Sequence, residues 1–258
     1  MITKKGETIR SIDDWHRLAP PAARNLHWKA GRSAMETARA WLSSPDSRMP
    51  PEVEAVLATS PDFAAVEEWT AEPEVELRFD RFAGNGRYTD LLVDAIDAHG
   101  RFSIAVEGKA DESFGQSVRE RLAAAVKERV ARPNSNAEAR VRSLCRDLFQ
   151  GANPEDDAIG SLRYQLLIAV AGALAEAGRR SSQRAVLLVH EFVTAATDDR
   201  LHARNDADLR LFVRRLSRGG TELPGAGELV GPIRIQTVDG LGGHVALYVG
   251  KAVRNLRV

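Results

Sequence analysis

The chain has 258 residues, 43% hydrophobic and 28% charged, with thirty-six basic and thirty-six acidic side chains and no net charge. That balance is ordinary for a globular protein able to bury one sizeable core, and zero net charge argues against indiscriminate nucleic-acid binding through basic excess. One cysteine, Cys145, excludes an internal disulfide and suits a reducing compartment.

In chain order, Asp13-Asp14-Trp15 opens a short helix, and Ser33–Leu42 forms a second with Ala34, Ala38 and Trp41 at helical spacing. Ser43-Ser-Pro-Asp-Ser47 breaks it, and Pro50-Pro51 starts a third helix near Glu52. Residues 1–50 are accordingly expected as an N-terminal helical extension, with 51–258 as the main domain. Glu74–Phe82 alternates like a strand, and Asn85-Gly86 is a hairpin turn into a second strand, Tyr88–Asp97. Asp97-Ala98-His99-Gly100 turns into a third, Arg101–Lys109.

The last two strands carry the most informative pattern. Side chains alternate along a strand. Phe102, Ile104 and Val106 make one apolar face, and Leu91, Val93 and Ala95 make another. Asp90 and Asp94 share the other face of the first strand, as Ser103, Glu107 and Lys109 do in the second. A tight turn at Ala98-His99 sets Asp90 opposite Glu107. A turn at His99-Gly100 sets it opposite Lys109 and diagonal to Glu107. Both registers join the apolar faces, and the intermediate register opposes them, so the core itself selects against it. Asp90, Glu107 and Lys109 are therefore expected together. Two carboxylates, the Gly108 carbonyl and waters would suit Mg²⁺, which activates a bound water and neutralises phosphate charge. Lys109 would position the water or stabilise the transition state. With six lysines against thirty arginines, a lysine closing an apolar strand is unlike filler. A solvated Glu–Lys face is the plainer alternative.

Helices follow at Ser117–Val130, Ala137–Phe149 and Ser161–Ala177, then a buried strand at Arg184–Val193 and a helix at Asp206–Leu216. Gly231–Val238 and His244–Val249 are expected as a terminal strand pair that could serve a homodimer. Leu166–Ala175, the longest apolar segment, is too short to span a bilayer. With no apolar run resembling a signal peptide, a cytoplasmic protein without membrane contact is expected. Arginine clusters at 119–146 and 200–218 could track phosphates or lie on solvated helix faces.

Helix, strand, strand with Thr89-Asp90, strand ending in Val106-Glu-Gly-Lys109, helix and strand, from about Glu52 to Thr194, together resemble the PD-(D/E)XK nuclease superfamily. Thr89 stands where that superfamily often has proline. Glu107–Gly115 and Gly31–Trp41 also resemble an uncharacterised bacterial branch. The resemblance implies an α/β restriction-endonuclease-like mixed sheet flanked by helices, and Mg²⁺-dependent (or Mn²⁺-dependent) cleavage of nucleic acid, DNA in preference to RNA. It implies Asp90, Glu107 and Gly108 as metal ligands and Lys109 as the catalytic cation. Glu36, with Glu54 as the alternative, would supply a catalytic carboxylate from the preceding helix. Gln116 and Gln165 are candidates to steady water or phosphate. Asp111 and Glu112 are expected to cap the next helix in preference to binding a second metal, Cys145 and His190-Glu191 to be structural, and Gly84-Asn-Gly86 to be a turn. A non-catalytic nuclease-like module holding nucleic acid or protein is the contrasting function.

Overall fold

The computed structural model describes residues 1–21, 27–44, 48–84, 86–220, 225–235 and 244–257. Parts of three expected features, the break after Leu42 (45–47), the turn at Asn85 and the strand end at 236–238, lie outside the described residues. A small hairpin, β1 (Thr3–Lys4) and β2 (Glu7–Thr8), precedes α1 (Ile12–Leu18), α2 (Ser33–Leu42) and α3 (Pro51–Leu57). Ser11 caps α1 by accepting from the Asp14 N–H at 3.0 Å, and Pro51 begins α3, where its missing N–H costs nothing.

The main sheet is built from β3 (Glu68–Leu77), β4 (Arg87–Asp97), β5 (Gly100–Lys109), β6 (Arg184–Val193), β7 (Leu229–Ile233) and β8 (Ala246–Asn255). Its order is β3-β4-β5-β6-β8-β7. The first three strands are antiparallel, β6 runs parallel to both β5 and β8, and β7 closes the far edge antiparallel to β8. Between β5 and β6 lie α4 (Val118–Ala131), α5 (Ala137–Leu148), α6 (Asp157–Gly160) and α7 (Tyr164–Arg179). α8 (Asp199–Leu216) follows β6. The architecture is α/β, a mixed sheet flanked by helices. Among the described residues no helix is long and apolar enough to cross a membrane.

Each face of the sheet has its own apolar layer. Residues from α5, α7 and α8, including Leu144, Val170 and Phe212, pack with Leu187 and Val249 on one face. On the other, Ile2, Trp15, Ala38, Trp41 and Val53 pack against Leu91, Val93, Phe102, Ile104 and Val106. Described residues from the first fifty thus share this layer with α3 and cover the apolar face of β4 and β5. α7 crosses close to β3: a Cβ on Gly172 would meet Leu77 at 3.0 Å, so glycine in this apolar helix permits contact with the strand. Cys145 is fully buried in the α5–α7 layer, and burial pushes its thiol up to about 12, in keeping with a structural role.

The β4–β5 turn is the two-residue Ala98-His99 form, with Asp97 paired to Gly100 and Leu91 to Val106. The Asp97 carboxylate locks it by accepting from the His99 N–H at 2.8 Å. β3 begins at Glu68, six residues before the expected start. The displacement has a local cause. Pairing runs from Pro73↔Leu91 to Val75↔Thr89, and between them Glu74 takes φ +50°. Ala71 and Leu91 lie in the α1–α3 layer, whereas Val75 and Leu77 pack toward α7. The strands therefore exchange faces at Glu74 and Asp90, and a search for unbroken alternation captures only the part of β3 after the exchange.

Candidate active site at the end of β5

Regular pairing of β4 with β5 stops at Leu91↔Val106. Beyond it the strands are tied by side chains: the Thr89 hydroxyl donates to the Val106 carbonyl at 3.0 Å, and the Gly108 N–H donates to Asp90 Oδ2 at 2.7 Å. Glu107 and Lys109 point toward α7 and are 3% exposed, so this face of the hairpin is sealed and the solvated alternative is overturned. Lys109 Nζ donates to Glu107 Oε1 at 3.0 Å and stands 5.3 Å from the centre of the Phe114 ring. Gln165, from the first turn of α7, donates to the same oxygen. The buried Arg87 guanidinium abuts Glu107 Oε2, which has no other partner among the described residues.

Gly108 faces the opposite way. A Cβ there would come within 2.5 Å of Thr37 Oγ1 and 3.5 Å of Ser33 Cβ. Ser33 and Thr37 sit four residues apart on the face of α2 that touches the strand, so glycine in Glu-Gly-Lys admits the helix. Asp90 leans into this gap. With Glu74, Thr37, Trp15 and Trp28 it lines a cavity of roughly 10 Å³, about the room of one water. Thr37 Oγ1 is buried there without a hydrogen-bond partner among the described residues.

The expected register is observed, but alternation breaks at one point: the face exchange at Glu74 and Asp90 turns the Asp90 carboxylate toward α2 while Glu107 turns toward α7. Lys109 is common to both: it bonds Glu107 and its charge draws Asp90 down, although burial is stronger and pushes the Asp90 carboxyl up. Burial lowers Lys109 in turn, against the pull of Asp90 and Glu112.

Glu36, expected as a catalytic carboxylate, is bound elsewhere. It accepts from the Gly31 N–H at 2.7 Å and from Arg39 at 2.9 Å. One residue before Thr37 lies about 100° around a helix, and that rotation points Glu36 away from Gly108, toward Thr194 and Arg254. Glu54, the alternative, pairs with Arg48. Glu112 was expected to cap a helix, but α4 is capped by Ser117 in a reciprocal box with Glu120. Glu112 instead accepts from Ser33 and from the Asp111 N–H, the latter at 2.9 Å. Burial would raise its carboxyl, but the charge of Lys109 and those hydrogen bonds hold it below the usual value. Asp111 pairs with Arg32 at 3.1 Å. Gln116 is exposed, so of the two glutamines Gln165 joins the site. His190 is buried against Glu52 at 2.8 Å, and Glu191 against Lys251 at 2.8 Å.

Sequence reasoning missed Arg87 and Glu74. Neither belongs to a motif. The available signals were an arginine opening an apolar strand and a glutamate directly after Pro73. Glu74 is the more telling, since burial and the neighbouring Asp90 charge push its carboxyl up to about 8, against Lys4. A carboxyl raised in the folded state brings no penalty below its ordinary value near 4.5 and its full penalty above about 8. Glu74→Gln is therefore expected to melt with the wild type at pH 4 and above it at pH 9. Thermal melts across that range check this, and a pH-independent difference counts against it.

Asp90, Glu107, Glu112 and Glu74 set four carboxylates against two buried cations, Lys109 and Arg87. Among the described residues, however, no three His, Cys, Asp or Glu side chains form a group that could hold a metal. No curated protein matches the chain, and no solved structure does. Residues 8–255 match the model of a family described as a domain of unknown function, DUF6946, and the chain belongs to that family.

Proposed function

We propose that the chain is a Mg²⁺-dependent nuclease of the PD-(D/E)XK kind, hydrolysing phosphodiester bonds in nucleic acid, DNA in preference to RNA, with Mn²⁺ as an alternative ion. One observation carries the reading: Glu107 and Lys109 lie buried side by side at the end of β5, with Asp90 bonded to the peptide N–H of the glycine between them. The carboxyl groups of Asp90, Glu107 and Glu112 fit a divalent cation, as does the buried Thr37 hydroxyl, which has no hydrogen-bond partner among the described residues. Mg²⁺ takes few protein ligands and keeps its waters, so two carboxylates and a carbonyl are a sufficient donor set. For Asp90, Glu107 and the Gly108 carbonyl to hold the ion, which would supply an activated water and neutralise phosphate charge, the Asp90 carboxylate would have to swing from the α2 side toward Glu107. Lys109 would then stabilise charge developing on the phosphate, and Gln165 would orient Glu107. The position agrees with the rule that open α/β sheets bind ligands beyond the carboxyl ends of parallel strands. β7, at one edge of the sheet, is where a second copy would dock.

The contrasting function, a non-catalytic module, is favoured by Arg87, whose guanidinium already neutralises Glu107. Incubating the full chain with single- and double-stranded DNA and with RNA, in Mg²⁺, Mn²⁺ or EDTA, separates the two. Products that appear with divalent ion, vanish in EDTA and are lost in Asp90→Asn are expected. No product from any substrate with either ion sinks the nuclease.

A further inference from the structure

Four arginines meet at a cleft on the far end of α8. The first half of that helix touches the β5 site, where His202 bonds the Ala110 carbonyl and Asn205 the Glu112 carbonyl, both at 2.9 Å. Ten residues further on, about 15 Å along the axis, Arg214 and Arg215 occupy its last turn. Arg218 follows the helix, and Arg234 arrives from just beyond β7. Together they line a cleft of roughly 610 Å³ whose lining also includes Phe149 and Ile159.

All four arginines are exposed, and among the described residues no ion pair or hydrogen bond engages their side chains. That sets them apart from Arg140, Arg142, Arg163 and Arg179, each held by a carboxylate. A helix C-terminus favours cations, which accounts for Arg214 and Arg215 but not for Arg234, which comes from another element. Asp156 is the acid among the described lining residues. An excess of three positive charges in one cleft calls for a ligand with several negative charges, and the arginine fork matches phosphate oxygens two at a time. The volume is that of a small-molecule site. Beside the charges lies apolar surface: Leu211 is 44% exposed and Phe149 is half-buried, a wall against which a planar base can lie.

We propose that this cleft binds a nucleoside polyphosphate, with its phosphates on Arg214, Arg215, Arg218 and Arg234 and its base against Phe149 and Leu211. The site is separate from the one at β5 and does not depend on nuclease activity.

Calorimetric titration of the full chain in EDTA, which keeps divalent ions out of the comparison, tests this with ATP, AMP, inorganic tripolyphosphate and a short oligothymidylate. ATP is expected to bind saturably at one site, about tenfold or more tighter than AMP or tripolyphosphate. Arg218→Gln and Arg234→Gln should each weaken ATP by about tenfold without moving the ligand-free melting temperature. Leu211→Ser should weaken ATP and leave tripolyphosphate unchanged. The assignment is overturned by absence of saturable ATP binding at millimolar concentration, by equal affinity for ATP and tripolyphosphate, or by arginine variants that bind ATP normally. Oligothymidylate that outcompetes ATP and is lost in the same variants also overturns it, making the cleft a nucleic-acid contact.

Discussion

Replacing Arg184 by methionine is expected to lower the unfolding free energy by about 3–5 kcal/mol near neutral pH, the usual cost of stranding one member of a buried ion pair. Arg184 opens β6 and holds Asp97 at the β4–β5 turn through both terminal guanidinium nitrogens, at 3.0 and 2.7 Å. It also donates to the Gly100 carbonyl at 2.7 Å and lies beside the rings of Phe63 and Phe102, 4.9 and 5.0 Å from their centres. The Asp97 side chain is wholly buried, so methionine leaves its charge with no cation and only the Ala64 and His99 N–H groups to stabilise it. Burial pushes the Asp97 carboxyl up, but Arg184 and the N–H groups of Ala64 and His99 outweigh it and hold it below the ordinary value. A carboxyl depressed in the folded state stabilises above its unfolded pKa, and that contribution is lost as pH falls through the folded one. The gap between wild type and variant should therefore narrow in acid. Denaturant unfolding at pH 7 and pH 3 measures both effects. A loss under about 1 kcal/mol at pH 7, the scale of a surface pair, or a gap unchanged at pH 3, contradicts the argument. Asp97→Asn added to Arg184→Met should restore part of the loss, since the two share one interaction.

On the proposed nuclease function, Lys109→Met is expected to slow cleavage about 10²–10³-fold at saturating substrate, the usual effect of removing a preorganised charge from the transition state, with little change in KM. The protein should stay folded, because Glu107 keeps Arg87 and Gln165 and methionine fills much of the lysine's apolar volume beside Phe114. Single-turnover rates with wild type and variant, alongside their melting curves, decide the matter. An unchanged rate in a folded variant removes Lys109 from the chemistry.

Much of this architecture was legible along the chain, and for a definite reason. α2 and β6 are bounded as expected, since one carries apolar residues at helical spacing and the other is β-branched-rich and buried on both faces. The β4–β5 register was readable because joining two apolar faces leaves few pairings. β3 was not, since it lies at one edge of the sheet, tolerates Pro73 there and changes face at Glu74. α8 begins seven residues before the expected Asp206, because its first two turns are polar and offer little apolar period.

The candidate site divides the same way. Local pattern settles that Asp90 reaches the Glu107-Gly-Lys109 strand and that glutamate and lysine share one face of it. Pattern says nothing of Arg87 meeting Glu107, of Asp90 turning toward α2, or of Glu36 bonding Gly31. Those outcomes follow from a backbone irregularity and from the rotation of a helix packed on the sheet. Alternation and helical period act between near neighbours, whereas which buried charge meets which depends on segments far apart in the chain.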